Sequence, residues 1–235
     1  MTDDIHPFDD YVRQDDCDMR LAEAALRFAY DRYPQMNEAA YLSRLDALAC
    51  RVERCAGGNG PEDQVRALRT VLVEEEGYLG PAASLNDPSY SYLNDVLDRK
   101  VGLPIALSAI WLDITWQLEW PFVGIGLPGH FVIGQCGPSS LRILDPFYGG
   151  RLLSRKDCEE LVVRGELAWS DSYLAPVTTK IMLARMLNNL RRAYLDRGEW
   201  HELGCVLRRL LALNPASEDI QREERVIATI RASLN

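Results

Sequence analysis

The sequence predicts an α+β fold: a small antiparallel sheet flanked by helices on both sides in chain order. Three observations carry the expectation. Residues 128–150, PGHFVIGQCGPSSLRILDPFYGG, run apolar up to a Gly-Pro-Ser-Ser turn and apolar away from it, as a β-hairpin does. The stretches before residue 80 and after residue 178 keep helical spacing instead. Between them, Ile105 to Trp116 is too continuously apolar for a surface helix and reads as a buried one.

The elements follow in order. Residues 17–56 are helical, with Leu21, Ala24, Ala25, Phe28 and Ala29 on one stripe and a break at Pro34. Tyr41, Leu45, Leu48, Ala49 and Val52 form the stripe of a second helix. After the loop GGNGPED, Pro61 with Glu62 and Asp63 opens a third helix to about Glu76, which Gly77 and Gly80-Pro81 end. A short helix is expected over Leu93–Asp98. Gly102-Leu103-Pro104 introduces the buried helix, and Pro121 begins a strand, FVGIG. Ser154 caps a further helix, with Asp157 three residues on in the place of the usual Glu or Gln. Residues 171–178 read as a linker. From Thr179 onward the pattern is purely helical, and Tyr194, Gly198, Trp200, Leu207, Leu210 and Pro215 are spaced as in one degenerate tetratricopeptide unit. One such unit cannot bury its own face and must pack on the rest of the protein or on a partner. The expected organisation is a helical layer over 1–80, the α+β core over 81–172 and the helical tail over 173–235.

Composition bounds the function. The net charge of −9 argues against nucleic acid, whose phosphates require a basic surface. Arg185, Arg191, Arg192, Arg208 and Arg209 could form a local basic patch but read as solvated helix faces. No run reaches the roughly 18 apolar residues of a membrane span, and the acidic N-terminus has no apolar signal core, so a cytoplasmic location is expected. Six scattered cysteines then read as reduced thiols, and with three histidines in the chain neither a metal site nor a cofactor is expected.

The chemistry concentrates in the hairpin. With a four-residue loop over Cys136–Ser139, Gln135 faces Ser140 and His130 falls opposite Asp145, at a Cβ separation of about 4.5–5.5 Å. An imidazole oriented by a carboxylate is two-thirds of a nucleophile–His–Asp constellation. The same pair can instead be structural, with Asp145 satisfying the ring or capping the turn that Pro146 begins. Asn94, Arg99 and Ser108 are candidates to line the same cleft, with capping or packing as the alternative for each.

Five blocks together resemble a known family: YPQMNEAAYLSRLDALA (33–49), SYLNDVLDRKVGLPIALS (91–108), PGHF (128–131), LDPFYGG (144–150) and RMLNNLRRAYLDRGEW (185–200). The chain is similar to the SirB-like bacterial proteins, in which a transglutaminase-like domain precedes tetratricopeptide-type helices. The central region also resembles part of some animal F-box proteins, which implies adaptor roles. The resemblance implies a papain-like core in which His130 and Asp145 match the histidine and aspartate of cysteine enzymes. It places the nucleophilic cysteine near Pro104 to Ala106, where this chain reads GLPIALS. Cys136 stands six residues from His130, about 20 Å along an extended strand. Ser108 lies about one turn beyond the expected position and reads as packing, its hydroxyl bonded to the i−4 carbonyl. Two readings follow: a non-catalytic module that binds a protein or peptide, or a hydrolase or transferase using His130 as general base with Asp145 orienting it.

Overall fold

A computed structural model describes residues 6–58, 60–82, 86–137 and 140–234. Its helices are α1 (Pro7–Tyr11), α2 (Leu21–Phe28), α3 (Glu38–Ala56), α4 (Pro61–Leu68), α5 (Leu93–Arg99), α6 (Pro104–Gln117), α7 (Arg155–Val163), α8 (Thr179–Arg197), α9 (Trp200–Leu213) and α10 (Glu218–Leu234). Its strands are β1 (Phe122–Ile125), β2 (Val132–Cys136), β3 (Leu141–Asp145), β4 (Arg151–Leu153) and β5 (Pro176–Val177). The strands form one antiparallel sheet in the order β4-β3-β2-β1-β5.

The buried helix is α6, in which every side chain from Ile105 to Thr115 is inside. Leu103 precedes it in extended conformation and Pro104 supplies a pre-set first turn. One face of the sheet packs on it: Phe122, Phe131, Ile133 and Leu144 join the main core with Trp111 and the N-terminal helices. The alternate residues Ile125, Val132 and Ile143 point to the other face, where Cys158 and Val162 of α7 cover them. The α7 N-terminus is a complete capping box between Ser154 and Asp157.

Several expectations change in detail. The third helix covers its expected span, but Arg69–Glu75 winds as a π-helix. The sheet gains β4 and β5, too short to show as periodic runs. The supposed linker at 171–178 holds a 3₁₀ turn, Asp171–Leu174, and then β5. The tail, expected to hold one tetratricopeptide-like pair of helices, has three among the described residues, because α10 restarts beyond Pro215. Met182, Leu183, Met186, Leu187, Leu190 and Tyr194 of α8 enter the same core as α2 and α3, so the tail buries its face on the body of the protein.

Two of the five tail arginines are not on solvated faces. The Arg209 side chain is 7% exposed and bridges Asp9 of α1 and Asp31, which follows α2. Arg185 lies half-buried and donates to the carbonyls of Gly126, Leu127 and His130 at 3.0, 2.6 and 2.9 Å. Periodicity could not reveal either, since both point inward to groups distant in sequence.

Candidate active site

Between β1 and β2 the chain reverses at Leu127-Pro128-Gly129-His130, closed by the His130 amide donating to the Leu127 carbonyl at 3.2 Å. Proline presets the second position and Gly129, at φ +73°, takes the third, which only glycine occupies without strain. Arg185 holds this turn from outside, its guanidinium set against three carbonyl dipoles and, at 5.5 Å, the Phe131 ring. Burial lowers the Arg185 pKa from its ordinary value.

The β2–β3 register is two residues away from the expected one. Cys136 pairs with Leu141 and Gln135 with Arg142, so the loop is shifted to 137–140, of which Pro138 and Ser139 lie outside the described residues. His130 therefore stands before β2, diagonal to Asp145 rather than opposite it. A two-residue shift preserves which face each side chain takes, and a diagonal pair remains within reach of a long ring. The His130 Nε2 donates to Asp145 Oδ2 at 2.8 Å.

Asp145 is fully buried and serves two masters. Its Oδ2 takes the imidazole, and its Oδ1 accepts the Phe147 amide at 3.0 Å, capping the turn Pro146–Tyr148. The two alternatives weighed for this residue coexist, one on each oxygen. The His130 side chain is 11% exposed. Phe147 meets its ring edge-on at 5.8 Å between centroids, and Tyr148 stacks near it at 6.3 Å. Beyond Tyr148 the chain turns through Gly149 and Gly150. A Cβ on Gly150 would lie 2.4 Å from the Trp111 ring, so the turn seats directly on α6.

No thiol completes the arrangement among the described residues. Cys136 is exposed at the far end of β2, and Cys17, Cys50 and Cys55 lie in or beside the N-terminal helices. Cys158 is the cysteine that feels the Asp145 charge. Burial first, then Asp157, Asp145 and Glu159, push its thiol up to about 11. That is opposite to the shift an activated nucleophile needs.

None of the other three candidates hydrogen-bonds to His130 or Asp145 among the described residues. Ser108 is fully buried, and its Oγ has no hydrogen-bond partner among the described residues, so the expected bond to the i−4 carbonyl is absent. Trp111, one turn along, likewise leaves its indole N–H without a partner among them. Arg99 is exposed at the end of α5 and donates to Ser89 Oγ at 2.9 Å. Asn94, at the start of α5, lines a different cavity together with Tyr33, Tyr41 and Asp98. Among the described residues no three His, Cys, Asp or Glu side chains converge on a metal-sized site, and no helix is long and apolar enough to cross a membrane.

The model of the transglutaminase-like superfamily matches residues 39–188, from α3 into α8. A UPF0162 protein of Xylella fastidiosa is 31% identical over 222 residues, covering 89% of this chain and 77% of its own. A UPF0162 protein of Pseudomonas aeruginosa is 28% identical, covering 76% and 66%. Human F-box only protein 21 is 30% identical over 132 residues, 53% of this chain and 20% of its own. No solved structure matches the chain.

Proposed function

The chain belongs to the transglutaminase-like superfamily, and from that premise we propose that it is a non-catalytic protein-interaction module on a degenerate member of that fold. One observation carries the reading. The His130–Asp145 pair is intact, yet residues 104–106 hold no cysteine, and the one thiol coupled to Asp145 is held protonated. A general base without a nucleophile, closed in by Phe147 and Tyr148, is better suited to fixing a surface than to acyl transfer. The SirB-like kinship, the papain-like ancestry of the core and the tetratricopeptide-like character of the tail belong to the same reading. So does a cytoplasmic setting with a protein or peptide partner. The match to a fifth of F-box only protein 21 supports it, since the same unit there is part of a much longer chain.

The second reading keeps His130 as a general base acting on water or a substrate proton, with Asp145 orienting the ring. It is favoured by the free Nδ1, which makes no hydrogen bond among the described residues.

Site-resolved alkylation of the native protein by iodoacetamide between pH 5 and 9, read by mass spectrometry, tests the proposal. Exposed cysteines are expected to label with the ordinary dependence of a thiol near pKa 8.5, and Cys158 to stay unlabelled. A cysteine that labels rapidly below pH 7, and slows on His130→Ala, overturns the non-catalytic reading.

A further inference from the structure

Helix α1 is five residues long, too short to persist without outside support, so its place on the fold depends on what holds each end. The far end is tied by Tyr11, which donates to Glu23 at 2.9 Å and accepts the Arg20 amide at 3.0 Å. The near end rests on two residues. One is Phe8, fully buried and meeting Phe28 of α2 edge-on at 5.9 Å between centroids. The other is His6.

His6 is the N-cap of α1. Its Nδ1 accepts the Phe8 amide at 3.2 Å, the part that a Ser, Asp or Asn side chain ordinarily plays. That bond fixes the tautomer: Nδ1 offers its lone pair, and Nε2, which carries the proton, lies 3.6 Å from Asp31 Oδ1. A second proton can go only on Nδ1. An N–H there meets the Phe8 N–H donor against donor, so the cap and the imidazolium exclude one another.

Charged groups face the ring from three elements. Asp9 lies on α1 itself, Asp31 follows α2, and Arg208 and Arg209 come from α9. Arg209 already answers both carboxylates. Burial first, then Arg209, hold the His6 pKa below its ordinary 6.5; Asp31 and Asp9 pull the other way, and Arg208 adds to the lowering. The docked helix keeps the neutral ring. Its contribution is whole above pH 6.5 and is lost as pH falls below that value through the depressed pKa of the docked state.

We propose that the first turn of α1 is a pH-sensitive strap: proton uptake on the His6 Nδ1 breaks the cap and lifts Phe8 from its seat on Phe28. Tyr11 stays tied, so the motion is the fraying of one turn about a fixed far end. The device stands apart from the interaction reading and does not depend on it.

Amide hydrogen exchange of the full chain between pH 5 and 7.5, read by mass spectrometry, tests the strap. The exchange rate over residues 7–12, divided by the intrinsic rate at the same pH, gives the open fraction. It is expected to rise as pH falls below 6.5, by up to about tenfold per pH unit for one proton, while residues 45–52 of α3 stay constant. His6→Asn keeps a cap acceptor that does not titrate, and its open fraction should stay low and flat. His6→Ala loses the cap and the titration together, and should be more open at pH 7.5 and equally flat. A parent open fraction that does not change with pH overturns the proposal. So does an acid response that persists in His6→Asn or His6→Ala, which belongs to another group such as His130 or His201. A response shared by α3 is global unfolding and overturns it too. If His6→Asn does not fold, His6→Ala decides by the same criterion.

Discussion

Replacing Asp145 tests how much of the fold hangs on the His130 pair. The carboxylate is fully buried and satisfies two donors, the imidazole at 2.8 Å and the Phe147 amide at 3.0 Å. Asp145→Ala removes both bonds and strands both donors. Hydrogen bonds to a charged acceptor contribute about 1.5–3 kcal/mol each. The two together give a loss of about 3–5 kcal/mol, a large share of the ~5–15 kcal/mol a domain possesses. Asp145→Asn is the control, because its Oδ1 still caps Phe147 and only the contact to His130 changes. It should lose about 1–2 kcal/mol. Urea unfolding followed by circular dichroism reads both; with a slope of about 2 kcal/mol/M the alanine midpoint falls by roughly 2 M. Adding Asp145→Asn to His130→Ala should recover stability relative to His130→Ala alone, since it neutralises a carboxylate that has lost its partner. An alanine variant within about 0.5 kcal/mol of both the parent and the asparagine variant refutes the reasoning and frees the pair from any structural role.

The remaining predictions concern burial elsewhere. Arg209→Met strands Asp9 and Asp31 and should cost about 3–5 kcal/mol, with α1 becoming accessible to limited proteolysis. Ser108→Ala deletes a buried hydroxyl with no partner and should leave the urea midpoint unchanged or raised. Gly150→Ala, at φ +70° with Trp111 in the way, should cost well over the ~1–2 kcal/mol of backbone strain expected for Gly77→Ala, where φ is +81° and nothing stands within 4 Å. Tyr33, Tyr41 and Tyr78 are pushed up to about 12, chiefly by burial, and Cys158 to about 11. Raised acid pKa values favour the neutral form in the folded state. Their stabilisation is thus whole below pH 9 and is lost as pH rises from about 9 towards 12, which a series of thermal melts across that range will show.

Local pattern made the long helices and the hairpin legible, because α3, α6 and α8 carry apolar stripes or runs that no strand would keep. The His130–Asp145 contact was reached through a register two residues off, and survived because the shift preserves face. The short strands β4 and β5 escaped, since pairing partners rather than periodicity define elements of three and two residues. So did the π-helix at Arg69–Glu75. The inward arginines were invisible for a related reason: Arg209 answers to Asp31 across 178 residues, and no local window contains both. Asn94 drew notice as a polar residue beside the central helix, but only its placement among Tyr33, Tyr41 and Asp98 separates it from His130.

That Arg209 bridge also orders events during synthesis. Asp9 and Asp31 leave the ribosome before the cation that lets them be buried, which is made 178 residues after Asp31. Until α9 emerges, Asp9 and Asp31 lack the Arg209 guanidinium, and their dehydration is unfavourable. The bridge that closes α1 onto α9 therefore depends on a contact of very long sequence separation, which loop-closure entropy makes slow to form.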